Sequence, residues 1–182
     1  MQTFDAAKLY TVSDFTSEVT FADPSHPNGH RVMLCISKNG VIASKNDADL
    51  YFKDGVLYLG YIGFLEEFQG GTLKLLHPHC IQTLKKYGYT KILLKPLSDV
   101  LTLWIYFGFV FIEKIEEIKT RYLLIDYLRS LHIISDIDIP KYDKMLLVDI
   151  VKLHKEAFKS KDFPKLIDKK LYYTNLEKRI AS

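Results

Sequence analysis

Cysteine is scarce in this chain, with Cys35 and Cys80 the two among 182 residues. Two cysteines make no disulfide framework and suit a reducing, cytoplasmic compartment. Each reads as a small buried apolar residue, because neither has a neighbour that would lower its pKa. Long apolar runs are missing too. The longest, over residues 103–112, falls well short of the roughly 20 residues that span a bilayer, so no membrane association is expected. The first residues hold no basic segment followed by an apolar one, which excludes a signal peptide from the expectation. His77 and His79 lie two apart and diverge on a helix, and no third ligand accompanies them, so no metal is expected. Neither the Gly-x-x-x-x-Gly-Lys-Ser/Thr loop nor the Gly-x-Gly-x-x-Gly dinucleotide pattern occurs. Zinc-finger spacing, stacking motifs and arginine clusters are absent as well, which argues against nucleic acid.

What is present is a globular composition. Apolar residues make up 48% and aromatics 13%, too many for a disordered chain. The net charge is +3, placed unevenly, since residues 141–182 alone carry +5. Their lysines alternate with Asp and Glu, the pattern of a solvated helical face that can also attract an acidic partner.

Along the chain, residues 1–28 are weakly patterned. Strand-like runs follow at His30–Ile36, Val41–Ala43, Leu50–Phe52 and Val56–Phe64, with hairpin signals at Asn39-Gly40 and Asp54-Gly55. The character then changes to a helix over 72–87, a strand Lys91–Lys95, a helix around Val100–Phe107 and a strand Phe109–Glu113. An antiparallel meander feeding alternating strands and helices predicts an α/β fold with a mixed, mostly antiparallel sheet flanked by helices. Residues Tyr122–Ile125 fit a strand or the start of a helix. Met145–Phe158 reads as an amphipathic helix with Leu146, Leu147, Ile150, Val151 and Phe158 on one side. Lys165–Arg179 reads as helical. These features divide the chain into a domain over 1–120 and a C-terminal, mainly helical extension over 121–182, which packs on that domain, on a partner protein or on a second copy.

One stretch carries the chemistry. Phe64-Leu65-Glu66-Glu67-Phe68-Gln69-Gly70-Gly71 joins the apolar strand to the helix that begins at Thr72. A Gly-Gly turn at a helix start presents backbone N–H groups and the positive end of the helix dipole to an anion, of which phosphate and pyrophosphate are the natural candidates. The same two glycines also serve simply as a tight turn.

In order and spacing this region resembles the GNAT superfamily of N-acetyltransferases. Those enzymes end a central strand in a pattern such as Val-x-Pro-Glu-Tyr-Gln/Arg-Gly-x-Gly-x-Gly/Ala, matched by Phe64–Gly71. Lys86-Tyr87-Gly88-Tyr89-Thr90-Lys91-Ile92 is similar to the helix end and next strand, and Trp104-Ile105-Tyr106-Phe107-Gly108-Phe109 to the closing Tyr-x-x-x-Gly-Phe. The resemblance covers about a quarter of the chain. It implies acetyl transfer from acetyl-CoA to an amine of a small molecule or protein. Gly70, Gly71, Thr72 and Leu73 would hold the pyrophosphate, with Gln69 in the same loop. Backbone N–H groups near Gly63-Phe64-Leu65, where the family strand bulges, would take the pantetheine arm and polarise the thioester carbonyl, with Phe64 and Leu65 as the cofactor-binding residues. Glu66 and Glu67 are the candidate bases, and Tyr106 the candidate acid. A cleft between the strands at 56–64 and 91–95 would admit the cofactor arm. The chain departs from the pattern in a glycine loop about two residues short, in His77-Pro78-His79 interrupting the helix, and in Trp104 at the usual tyrosine position. Only residues 3–20 remain to form an acceptor-binding helix. The departures favour the alternative of a catalytically inactive GNAT-like module acting as a protein-interaction domain.

Overall fold

The computed structural model describes residues 4–69, 71–97, 100–159, 163 and 175–180. The chain divides into two compact units, residues 1–94 with 179–182, and residues 95–178. The division falls at Leu94/Lys95, so residue 120 lies inside the second unit.

The first unit is built on strands β1 (Phe15–Asp23), β2 (His30–Lys38), β3 (Val41–Ile42), β4 (Ala48–Lys53), β5 (Val56–Tyr61) and β6 (Lys91–Leu94). The order is β1-β2-β4-β5-β6, with β3 also paired to β2. All these pairs are antiparallel except β5 with β6. Period-two alternation puts Val32, Leu34 and Ile36 of β2 on the buried face. Cross-strand pairing then aligns Val32, Leu50, Leu59 and Leu94 in one row and Phe52, Leu57 and Ile92 in the next. Both hairpins follow the sequence signal, with positive φ at Asn39-Gly40 and Asp54-Gly55.

Helix α1 (Thr72–Lys86) links β5 to β6, making a β–α–β crossover. It buries Leu76, Cys80 and Leu84 at helical spacing. The helix continues through Pro78, so the expected interruption does not occur. Proline withholds one N–H from the ladder, and buried Leu76, Cys80 and Leu84 on both sides of it keep the helix in place. Ahead of the sheet, residues Ala6–Tyr10 form a short 3-10 turn, capped by the Asp5 carboxylate, and it packs against α1. Among the described residues of the 3–20 stretch there is therefore no long helix: from Phe15 the chain is strand.

The second unit contains α2 (Leu101–Tyr106), β7 (Val110–Phe111), α3 (Lys114–Ser130), α4 (Ile139–Lys144) and α5 (Leu147–Leu153). Tyr122–Ile125 is thus helical, within α3. Arg121 on α3 ties down the end of α4 and its C-cap, donating to the carbonyls of Tyr142 and Met145. Tyr127, Phe158 and Phe163 stack with centroids 4.9–6.1 Å apart.

The helix expected over Met145–Phe158 is shorter. It begins after Leu146, which is 65% exposed, and is capped at His154. Leu147, Ile150 and Val151 keep the predicted buried side. At the far end Leu176–Arg179 is strand β8, antiparallel to β7, in place of the expected helix; Leu176 is buried opposite Phe111. Residues 165–174 of that expected helix, like Gly70, lie outside the described residues.

Candidate functional site

Beyond Leu59 the strand β5 changes neighbours. Its parallel pairing with β6 runs without a gap from Val56↔Lys91 to Leu59↔Leu94, so the expected splay is absent along β6. On the other side the register with β4 shifts. Leu50 faces Leu59 but Asp49 faces Tyr61, leaving Gly60 as the extra residue of a bulge. That bulge sits upstream of the 63–65 stretch where the resemblance put it. The chain is next held from one side, Lys45 N–H donating to Gly63 (3.0 Å) and Leu65 N–H to Ala43 (2.9 Å). Phe64 is buried and bridges to Ser44.

A single 3-10 turn, Glu66–Phe68, carries the chain round to α1. The turn is self-satisfied: Phe68 N–H donates to Leu65 (2.9 Å) and Gln69 Nε2 to the Phe64 carbonyl (3.2 Å). Thr72 Oγ1 donates to the Phe68 carbonyl. Gln69 is thereby a brace of the turn. Gly71 is the N-cap of α1, with φ +85°, a conformation that costs any L side chain. Nothing lies within 4 Å of where its Cβ would stand, so the space beside the helix start is open. Lys74 N–H returns to the Gly71 carbonyl at 3.0 Å. Among the described residues, no acceptor meets the amides of Thr72 and Leu73. These first-turn N–H groups lie at the positive end of a 15-residue helix, after the carboxyl end of a parallel strand, where α/β units bind anions.

Phe64, Leu65, Glu66, Glu67, Gln69, Gly71, Thr72 and Leu73 therefore form one strand–turn–helix segment of the first unit. Glu66 and Glu67 are exposed at the start of the 3-10 turn. Tyr106 belongs to the second unit, at the end of α2, half-buried with its ring edge-on to Phe107 at 5.8 Å. Trp104 is buried against Phe109, centroids 5.3 Å apart, as core packing.

One cluster escaped the sequence reading. Arg31 on β2 makes a bidentate pair with Asp49 on β4, Nε at 2.9 Å and Nη2 at 3.2 Å. Tyr51 donates to the same carboxylate at 3.0 Å. The guanidinium also lies over the rings of Phe21 and Tyr51, at 5.8 and 5.6 Å. The hydrogen bonds that Arg31 donates to Asp49 raise its pKa, and burial, then the hydrogen bond to Asp49, raises that of Tyr51. This carboxylate adjoins the bulge: a Cβ on Gly60 would stand 3.3 Å from Asp49 Oδ2. Odd-numbered residues on β2 and β4 were a usable signal for a shared face, but only the register shows which of them meet.

His77 is buried in α1, while His79 Nε2 is 3.0 Å from the Lys8 carbonyl. Cys80 is enclosed beside Tyr10, and burial pushes its thiol up to about 12, which makes it a poor nucleophile. Cys35 is half-buried. Among the described residues no group of three His, Cys, Asp or Glu is placed to hold a metal, and no helix is long and apolar enough to cross a membrane.

No protein-family model matches the sequence, and no curated protein matches it. Among solved structures, it is similar to a GNAT family acetyltransferase from Elizabethkingia anophelis with acetyl-CoA bound (20% identity, TM-score 0.42, 56% of this chain and 80% of that one). It is similar also to the ribosomal-protein-S18-alanine N-acetyltransferase of Escherichia coli (19%, 0.40, 50% and 58%). A third is the PaiA N-acetyltransferase from Thermoplasma acidophilum in complex with coenzyme A (16%, 0.38, 43% and 51%). The match thus spans little more than half the length of the last two proteins.

Proposed function

We propose that this chain is a divergent GNAT-type N-acetyltransferase that takes acetyl-CoA as cosubstrate and acetylates an amine of a small molecule or protein. The observation that carries this reading is the open, left-handed Gly71 at the N-terminus of α1, on the segment that the Glu66–Phe68 turn joins to the bulged strand β5. The amides of Thr72 and Leu73, with Gly70 and Gly71 for close approach, suit a pyrophosphate. Phe64 and Leu65 line the strand end that would receive the pantetheine arm, and Gln69 holds that turn in shape.

Acetyl-CoA supplies an activated acyl group. The amine must lose a proton to attack; Glu66 or Glu67, directly or through water, is the proposed base. As the C–N bond forms and the C–S bond breaks, Tyr106 is the proposed donor of a proton to the departing thiolate. Backbone N–H groups at the strand end would stabilise charge on the carbonyl oxygen. No step requires a metal. Two free thiols suit a reducing, cytoplasmic setting.

A second reading rests on buried Trp104, which occupies the usual tyrosine position, and on Tyr106 stacked against Phe107. In it the fold is kept as a protein-interaction module without catalysis.

Calorimetric titration with acetyl-CoA and CoA tests the first reading, followed by acetyl transfer to a panel of amines and peptides. Binding and turnover are expected. Binding without turnover on any acceptor, unchanged in Tyr106→Phe, would favour the interaction module, and absence of binding at millimolar ligand would remove the cofactor reading altogether.

A further inference from the structure

Helix α3 is apolar on two sides. Its inner side buries Leu124, Ile125 and Leu128. Its outer side exposes Ile115 (55%), Ile118 (38%) and Tyr122 (55%), which recur at helical spacing on one stripe. Of the seventeen large hydrophobics exposed among the described residues, seven fall within residues 110–133. Three of the seven form the stripe on α3, while Ile112 precedes the helix and Leu131 and Ile133 follow it.

The charges on the stripe are ordered. Lys119 lies among the apolar residues of the N-terminal half, while Asp126 and Arg129 continue the same face one and two turns beyond Tyr122. Lys119 and Asp126 are exposed, their side chains at 52% and 63%. Their present partners, Glu116 at 2.9 Å and Arg129 at 3.6 Å, are neighbours on the same helix at surface positions, where ion pairs exchange at little cost.

We infer that the outer face of α3 is a self-association surface on which a second copy of this chain docks its own α3 antiparallel, about a two-fold axis near Tyr122. Antiparallel packing sets Lys119 beside Asp126 of the partner subunit, and by symmetry this pair occurs twice. It lays Ile115 along the aliphatic stem of the partner's Arg129. It also brings exposed Ile112, before the helix, towards Leu131 and Ile133 of the partner subunit, after it. A parallel arrangement would set Lys119 on Lys119 and Asp126 on Asp126, an opposed like-charge contact at each. The face is self-complementary in one direction only. This inference stands apart from the acetyl-CoA reading.

Sedimentation velocity of the full chain over a concentration series tests it. The native chain should dimerise reversibly. Tyr122→Glu should give a monomer with unchanged circular dichroism. Lys119→Asp and Asp126→Lys should each weaken the dimer about tenfold, because two pairs become repulsive. Lys119→Asp combined with Asp126→Lys should restore it, which a merely destabilising substitution would not do. A native chain that is monomeric throughout overturns the inference and gives the face to a different partner. Double-variant affinity no better than that of either single variant also overturns it.

Discussion

Substitution of Gly71 separates phosphate binding from folding. At φ +85° with nothing within 4 Å of the missing Cβ, a side chain there meets backbone strain and no clash. For most L residues that strain is about 1–2 kcal/mol, and less for Asn and Asp, which tolerate the left-handed region. Gly71→Asn should therefore lose about 1 kcal/mol, roughly 2–4 °C in melting temperature for a chain of this size. Gly71→Asp has the same shape, but its charge lies at the positive end of α1, which returns about 0.3–1 kcal/mol. Without ligand, then, the Asp variant should be at least as stable as the Asn variant. With CoA the order inverts. A carboxylate about 5 Å from a phosphate charge costs about 3 kcal/mol at an effective dielectric of 20, so affinity should fall more than about 100-fold. Calorimetric melting of both variants, followed by titration with CoA, measures the two effects separately. Equal CoA affinity of the Asn and Asp variants, both folded, would show that no phosphate lies beside Gly71.

Two further outcomes follow from half-buried His154 and buried Cys80. Burial, and to a lesser degree the charge of Lys141, holds the His154 imidazole below its ordinary pKa, with Tyr142 2.6 Å from its Nε2. The unfolded chain therefore binds this proton more readily, so the stabilisation is whole above the unfolded value of about 6.5 and is lost as pH falls through the folded one. The melting temperature should drop between about pH 7 and pH 5, and His154→Gln should shrink that drop; an identical slope in the variant would exclude His154 as a source. With its thiol pushed up to about 12, Cys80 should resist an aromatic disulfide reagent in the native state while Cys35 reacts. Two thiols titrating at equal rates before unfolding would contradict the burial.

The parts of the fold legible in sequence are those where local pattern and tertiary burial agree. Strands β2, β4, β5 and β6 announce themselves through alternation, and the two hairpins through Asn39-Gly40 and Asp54-Gly55. β1 was hidden because only Phe15 of its nine residues is buried, so its hydrophobic alternation is weak and pairing with β2 defines it. Leu-Glu-Lys-Arg of β8 has helical propensity, which a single buried Leu176 and the pairing with β7 override. Pro78 misled in the other direction, since one lost hydrogen bond weighs less than the apolar side it interrupts. At the candidate site, the strand–turn–helix order was visible in the glycines. Gly60 as the bulge, and Asp49 held beside it by Arg31, depend on register between strands, which no local pattern encodes.

The first unit is discontinuous: it takes residues 1–94 and then residues 179–182. Ile180 is buried there, and its N–H donates to the Thr90 carbonyl at 2.8 Å. On the ribosome this has a temporal meaning. At typical elongation speeds the roughly eighty residues between the two pieces take about 4–16 s to be made. Throughout that interval the nascent first unit lacks the residue that covers Thr90, next to β6. A strand margin left open for seconds is a site for wrong pairing, so the yield of folded protein should respond to translation speed, and truncation before Ile180 should leave a chain that chaperones retain.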